Sequence, residues 1–91
     1  MKPKLTIYEL IGAKIAYYRR LNCFSQEELA TEIHMTRSVI ARIESGNYNH
    51  NISLNMLMLI SKALHVKLSV FVTFDNNELQ FLIRDDEDEG M

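Results

Sequence analysis

The stretch SQEELATEIHMTRSVIARIESG, residues 25–46, decides the fold of this chain. Its apolar residues recur at helical spacing in two short segments, and only the three residues HMT separate the segments. Ser25 starts a capping-box pattern typical of a helix N-terminus, and Thr36 is the cap candidate for the second segment. We therefore predict two helices, at 25–33 and 37–45, joined by a tight turn.

Helical spacing also continues on both sides of this pair. Residues 6–21 form a predicted first helix that Thr6 can cap, again with a glutamate three positions later. Residues 53–65 form a predicted fourth helix with Ser53 as its cap. The sequence thus predicts one helical domain over residues 6–65.

The hydrophobic period changes from helical to alternating after residue 65. VKLSVFVTF and, after the turn DNN, ELQFLIR both alternate as strands do. An isolated two-stranded hairpin is marginal in water, so we expect residues 66–84 to be a strand or hairpin that pairs with a second chain. The pattern leaves open whether the strands pair within one chain or between two. The predicted dimerisation residues are Leu68, Val70, Val72 and Phe74.

Length and composition predict one small globular domain. The chain has 91 residues, of which 47% are hydrophobic and 24% charged, and a single cysteine that excludes an internal disulfide. It contains neither an apolar run long enough for a membrane span nor a signal-peptide pattern. These features predict a cytoplasmic protein with no membrane partner.

Charge is distributed unevenly along the chain. The net charge is −2, but five acidic residues stand together at 85–89, and without them ten basic residues face seven acidic ones. The remainder is therefore mildly basic. We interpret residues 85–91 as a disordered acidic tail that aids solubility, with a contact to a basic partner as the alternative.

Two helices at a tight turn, the second with exposed polar side chains, predict a helix-turn-helix. In that motif the second helix enters the DNA major groove and the first crosses the backbone. The outward face of the second helix carries the predicted base contacts. An arginine there can donate two hydrogen bonds to guanine, and alanine offers a methyl contact. The predicted base contacts are Arg37, Ser38, Ala41 and Arg42.

The segments IGAKIAYYRR, SQEELA, SVIARIESG and ISLNMLMLISKALHVKL resemble the lambda-repressor/Cro-type (Xre-family) helix-turn-helix domain, over residues 11–68. The resemblance implies a mainly α fold with four or five helices, here followed by the C-terminal strand or hairpin. It also implies phosphate contacts for Gln26 and Ser45, and a structural ion pair between Arg19 and Glu44.

The sequence departs from the family pattern at the turn and in the loop after the third helix. His34 stands where the turn often has glycine, and histidine tolerates a left-handed backbone better than most residues do. The loop NYNHN, residues 47–51, lacks the lysines and arginines common there. Tyr48 in that loop is a candidate phosphate contact through its hydroxyl, with packing as the alternative. Helices followed by strands also resemble HipB-like antitoxins.

The sequence predicts a DNA-binding transcriptional repressor that acts as a homodimer on a palindromic operator in double-stranded DNA. The alternative is the antitoxin of a toxin–antitoxin module, which would hold a toxin through strands 66–83 and the acidic tail and regulate its own operon. A third option is an interaction module without DNA binding. No nucleophile with a spaced base, glycine-rich phosphate loop or metal-ligand spacing is found, so we expect no enzymatic activity, cofactor or metal site.

Overall fold

A computed structural model describes residues 5–48 and 52–82. Within these ranges the chain forms six helices, and a single parallel β-bridge joins Leu5 to Leu82. The first four helices confirm the predicted ones to within a residue at each end. The six helices are α1 (Ile7–Leu21), α2 (Gln26–Glu32), α3 (Arg37–Glu44), α4 (Leu54–Leu64), α5 (Ser69–Val72) and α6 (Asn76–Leu79).

The predicted caps define where the first four helices begin. The hydroxyl of Thr6 accepts the N–H of the residue three positions on, and the glutamate side chain there accepts the N–H of Thr6, so the capping box is complete. Ser25 forms the same reciprocal box at α2. Thr36 and Ser53 each accept one backbone N–H at the starts of α3 and α4. Each cap satisfies donors that the first helical turn leaves unpaired.

The core is built from the inward faces of five helices. The side chains with essentially no exposure come from α1 to α5, and each such burial contributes about 1.5–3 kcal/mol of hydrophobic stabilisation. Helix α1 packs against α3, α4 and α5, and α2 packs against α3 and α4. The fully buried side chains are Ile15, Leu29, Ile40, Ile60, Leu64 and Phe71.

Gly12 allows α1 to approach the backbone at the end of α3. A Cβ atom at this position would overlap the carbonyl oxygens of Ile43 and Glu44. Only a residue without a side chain fits this contact without moving one of the two helices. The close approach fixes α3, the helix predicted to enter the major groove, against α1.

The predicted strand at 66–74 is wrong, because this segment turns helical as it packs on α1. Alternation places Phe71 outside and Val72 inside, yet Phe71 is fully buried and Val72 is 46% exposed. The Phe71 ring lies edge-on to Tyr18 with 6.1 Å between the ring centroids. Packing on the helical core has overridden the local strand preference. Of the predicted dimerisation residues, Leu68, Val70 and Phe74 pack against the core of their own chain.

The predicted second strand is also wrong over the described residues, because α6 occupies part of it. Asp75 and Glu78 form a complete capping box at the start of α6. This is the D-x-x-E form of the pattern that begins α1 and α2. Ile83 and the acidic tail at 85–91 lie outside the described residues.

Lys14 of α1 joins the C-terminal segment to the helical core. Its Nζ donates to the carbonyl oxygen of Thr73 at 2.6 Å and lies 3.0 Å from Oε1 of Glu78. The same nitrogen is 4.8 Å from the centroid of the Phe74 ring. Only 15% of the Lys14 side chain is exposed, so these contacts replace most of its water. This lysine was not among the residues that the sequence pattern indicated.

Two features that would mark other classes of protein concern residues 5–48 and 52–82. Within these ranges, no helix has the length and apolar character needed to cross a membrane. The same residues contain no group of three histidine, cysteine or acidic side chains placed to hold a metal ion.

Candidate nucleic-acid interface

The corner between α2 and α3 is held by both backbone and side chains. The chain turns at His34, whose φ of 61° is left-handed, and the N–H of Met35 then donates to the carbonyl of Ala30 at 2.8 Å. Histidine therefore adopts the conformation that glycine often supplies at this turn. Ala30 is almost fully buried and small, which allows the two helices to approach closely. The result is one fixed orientation of α3 relative to α2.

Helix α3 turns its apolar side inward and its predicted contact residues outward. Ile40 and Ile43 are buried between α3 and the rest of the core. The predicted base contacts Arg37, Ser38 and Arg42 are all exposed, and Ala41 is half-buried. An α-helix carrying exposed arginines along one side has the shape and charge needed to enter a major groove.

A buried ionic network ties α3 to α1. Arg19 Nε lies 2.6 Å from Glu44 Oε2, and a second bond at 3.1 Å joins Arg19 Nη2 to Glu44 Oε1. Both side chains are more than nine-tenths buried. Arg19 Nη1 also donates to the carbonyl of Phe24 at 2.7 Å, in the connection that leads to α2. The pair is bidentate, an arrangement that fixes orientation as well as distance.

Gln26 brings α2 into the same network. Its Nε2 donates to Glu44 Oε1 at 3.0 Å. The first turn of α2 is thereby bonded to the last turn of α3. The amide of this predicted phosphate contact is thus held by a carboxylate on α3, and it braces the corner from the side opposite the turn.

The end of α3 is closed by a compact turn that contains Ser45, another predicted phosphate contact. Ser45 Oγ donates to the carbonyl of Arg42 at 3.1 Å and accepts from Asn47 Nδ2 at 3.3 Å. The N–H of Asn47 also donates to the Arg42 carbonyl, at 2.8 Å. Gly46 has a left-handed φ of 80°, and a Cβ there would overlap Glu9 of α1. The chain is therefore held tightly from Arg42 to the start of the following loop.

Tyr48, the third predicted phosphate contact, lies beside Arg42. The Cζ atom of Arg42 is 5.7 Å from the centroid of the Tyr48 ring, within the range of a cation–π contact. The ring also lines a small apolar recess together with Ile11, Ile43 and Ile52. Sequence reasoning missed this stacking, because the distance between the two side chains depends on how the chain turns at Gly46.

The chain belongs to the helix-turn-helix family and is of the lambda-repressor/Cro (Xre) type. Its sequence matches the helix-turn-helix family over residues 15–71, which is more than half of the chain. It is 34% identical over 65 residues to the uncharacterized HTH-type transcriptional regulator MJ0272 of Methanocaldococcus jannaschii. That alignment covers 71% of this chain and 96% of the relative.

Solved structures share the same fold. The restriction-modification controller protein C.AhdI from Aeromonas hydrophila is 25% identical with a TM-score of 0.64, over 71% of this chain and 90% of that one. The hypothetical transcription factor NHTF from Neisseria is 20% identical with a TM-score of 0.71, over 90% of this chain and 98% of that one. The similarity to NHTF covers most of both chains, but at 20% identity it shows a shared fold only.

Proposed function

We propose that this helix-turn-helix regulator represses transcription as a homodimer that occupies a palindromic DNA operator. The observation that carries the proposal is the exposed face of α3, with Arg37, Ser38 and Arg42 outward on a helix held at a fixed corner. Its family consists of DNA-binding transcriptional regulators rather than enzymes. A dimer would place two such helices in successive major grooves and exclude polymerase from an overlapping promoter.

Base recognition is assigned to the exposed side chains of α3. Arg37 and Ser38 stand in its first turn, where base edges are usually reached. Arg42 follows Ser38 by four positions and so lies on the same side of the helix. Within the described residues, the guanidinium groups of Arg37 and Arg42 form no ion pair, so their donors remain available for guanine. Ala41 would offer a methyl group to thymine.

Phosphate contacts are assigned to Gln26, Ser45 and Tyr48, which flank the exposed face of α3. Asn47 and Tyr48, the described residues of the loop after α3, are both neutral. We therefore expect the loop to contribute only modestly to the affinity for phosphates. Affinity for DNA should still fall as salt rises, since Arg37 and Arg42 displace counterions on binding. A chain whose binding did not respond to salt would instead be an interaction module.

The proposal is tested by selecting bound sequences from a random duplex library and then measuring the affinity of variants by fluorescence anisotropy. Arg42→Ala should weaken binding to the selected operator by about 5- to 150-fold, because a bidentate arginine–guanine contact is lost. Binding to a scrambled duplex should fall much less, so the base preference relaxes. Lys67→Ala is the matched control, because it removes the same charge from an exposed position outside α3.

Gln26→Ala provides the contrasting case in the same assay. Because Gln26 is a proposed phosphate contact, its replacement should weaken binding to operator and scrambled DNA by a similar factor. If Arg42→Ala and Lys67→Ala bind the operator equally well, α3 does not read bases through Arg42. If the unmodified chain selects no sequence at all, the proposed function itself is wrong.

The antitoxin alternative loses one of the two elements on which it depended. It placed a toxin on strands between residues 66 and 83 and on the acidic tail; the described part of the strand segment contains α5 and α6 instead, and the tail lies outside the described residues. Leu68, Val70 and Phe74 are partly buried against the core of their own chain, and Val72 is exposed. No observation on the described residues favours a toxin partner over DNA.

A further inference from the structure

We infer that Tyr48 is a positioning residue for base recognition, which acts by holding the guanidinium of Arg42 with the face of its ring. This inference rests on the proposed function, because it concerns how one of the proposed base contacts is presented. It gives the aromatic ring a role distinct from the phosphate contact proposed for the tyrosine hydroxyl.

The ring is fixed with respect to the chain before it meets Arg42. Tyr48 is half-buried and borders the apolar recess formed with Ile11, Ile43 and Ile52, so its plane is held by packing. A tyrosine side chain has only two rotatable angles to restrain. It therefore offers a rigid surface at the edge of the exposed face of α3.

The backbone between the two residues is equally constrained. The carbonyl of Arg42 accepts both the N–H of Asn47 and the hydroxyl of Ser45. Gly46 provides the left-handed turn that these bonds require. The position of the ring is therefore set relative to Arg42 itself, by short-range bonds that do not depend on the remote parts of the fold.

Stacking holds the guanidinium without consuming its hydrogen-bond donors. Among the described residues, no hydrogen bond or ion pair involves the Arg42 side chain, and its one aromatic partner is the Tyr48 ring 5.7 Å away. Glu44, the nearest carboxylate along α3, is engaged by Arg19 and Gln26. A salt bridge would occupy the fork of N–H groups, whereas a cation–π contact leaves all five donors free for a base.

Holding Arg42 in this way should raise base preference more than general affinity. A free arginine side chain loses much rotamer freedom when it binds a base in one geometry, and a pre-positioned one loses less. This smaller loss of side-chain entropy favours binding to the operator, where Arg42 must adopt one particular conformation to reach its base. It does not apply to scrambled DNA, where the arginine can contact phosphates in many geometries.

The test compares Tyr48→Phe and Tyr48→Leu, with the ratio of operator to scrambled affinity as the readout. Tyr48→Phe keeps the ring and should leave this ratio unchanged, even if loss of the hydroxyl weakens both affinities alike. Tyr48→Leu fills the recess but lacks a ring face, and should lower the ratio by about two- to fivefold. In an Arg42→Ala background, Tyr48→Leu should have no further effect on the ratio. Equal ratios for Tyr48→Phe and Tyr48→Leu would overturn the inference.

A measurement without DNA separates this inference from the proposed function. In the free protein, the ring current of Tyr48 should shift the NMR signals of the Arg42 side-chain protons, in the wild type and in Tyr48→Phe. The shift should disappear in Tyr48→Leu, while the amide signals of the core stay in place and show that the variant is folded. An Arg42 signal that is the same in all three proteins would overturn the positioning role, whatever DNA binding is found.

Discussion

At the scale of single residues, the charges around α3 divide into a buried set and an exposed set. Arg19, Glu44 and Gln26 use their hydrogen-bonding groups on one another and lie inside the corner formed by α1, α2 and α3. Arg37 and Arg42 remain outside. Burial of the Glu44 carboxylate at the end of α3 is tolerated because a bidentate arginine compensates its charge. The buried set thus orients α3, and the exposed set is the one that we propose contacts DNA.

Arg19→Met should destabilise the protein by about 3–5 kcal/mol, because it leaves Glu44 buried without its cation. The double variant Arg19→Met/Glu44→Leu should recover most of that loss, since replacing a buried pair by apolar side chains of similar size is often neutral. Urea unfolding followed by far-ultraviolet circular dichroism measures both values.

Arg20→Met is the control for this experiment, because Arg20 is exposed at the adjacent position of α1. It should change stability little. If the double variant were as unstable as Arg19→Met alone, the cost would come from lost packing or from the Phe24 carbonyl, and not from the unpaired charge.

At the scale of elements, the sequence predicted each helix that combines a cap with a long apolar stripe. Thr6, Ser25, Thr36 and Ser53 each begin a helix, because a side-chain acceptor near the first turn is a local property that the sequence carries. Alternation after residue 65 misled the prediction, because a period of two is reliable only where a sheet is available to pair with.

The C-terminal segment still carried one local signal for helix. Asp75 and Glu78 have capping-box spacing, and the structure begins α6 there. The burial of Phe71 had no such signal, because it depends on the distant Tyr18. The stacking of Tyr48 on Arg42 could likewise not be predicted from a local sequence pattern. The exposed face of α3, by contrast, follows from helical spacing alone.

Lys14→Met should release the C-terminal segment from α1. The variant leaves the Thr73 carbonyl and the Glu78 carboxylate to water in place of their shared cation, at a cost of about 0.5–1.5 kcal/mol. Hydrogen exchange should therefore accelerate at the amides of α5 and α6 more than at those of α2 and α3. Lys67→Met, at an exposed position before α5, should leave the exchange pattern unchanged. Uniform acceleration throughout the helices would show that Lys14 supports the whole domain and not this segment.

At the scale of the whole molecule, each chain carries one copy of α3, the helix that we propose enters the major groove. In the proposed dimer, two chains would place their α3 helices about one turn of DNA, ~34 Å, apart. A two-fold axis between them would require inverted half-sites. The strands that the sequence predicted for this dimer do not form over residues 66–82, where α5 and α6 are found instead.

The selected operator should therefore consist of two inverted half-sites whose centres are about 10 base pairs, or a multiple of that, apart. Inserting five base pairs between the half-sites turns them to opposite sides of the duplex, and should weaken binding at least about tenfold, because only one subunit can then dock. Changing the spacer bases without changing the spacer length is the control for altered DNA stiffness. Sedimentation of the complex should give two 10.6-kDa chains per operator. One chain bound per duplex, with equal affinity for one half-site and for two, would show that the regulator acts as a monomer.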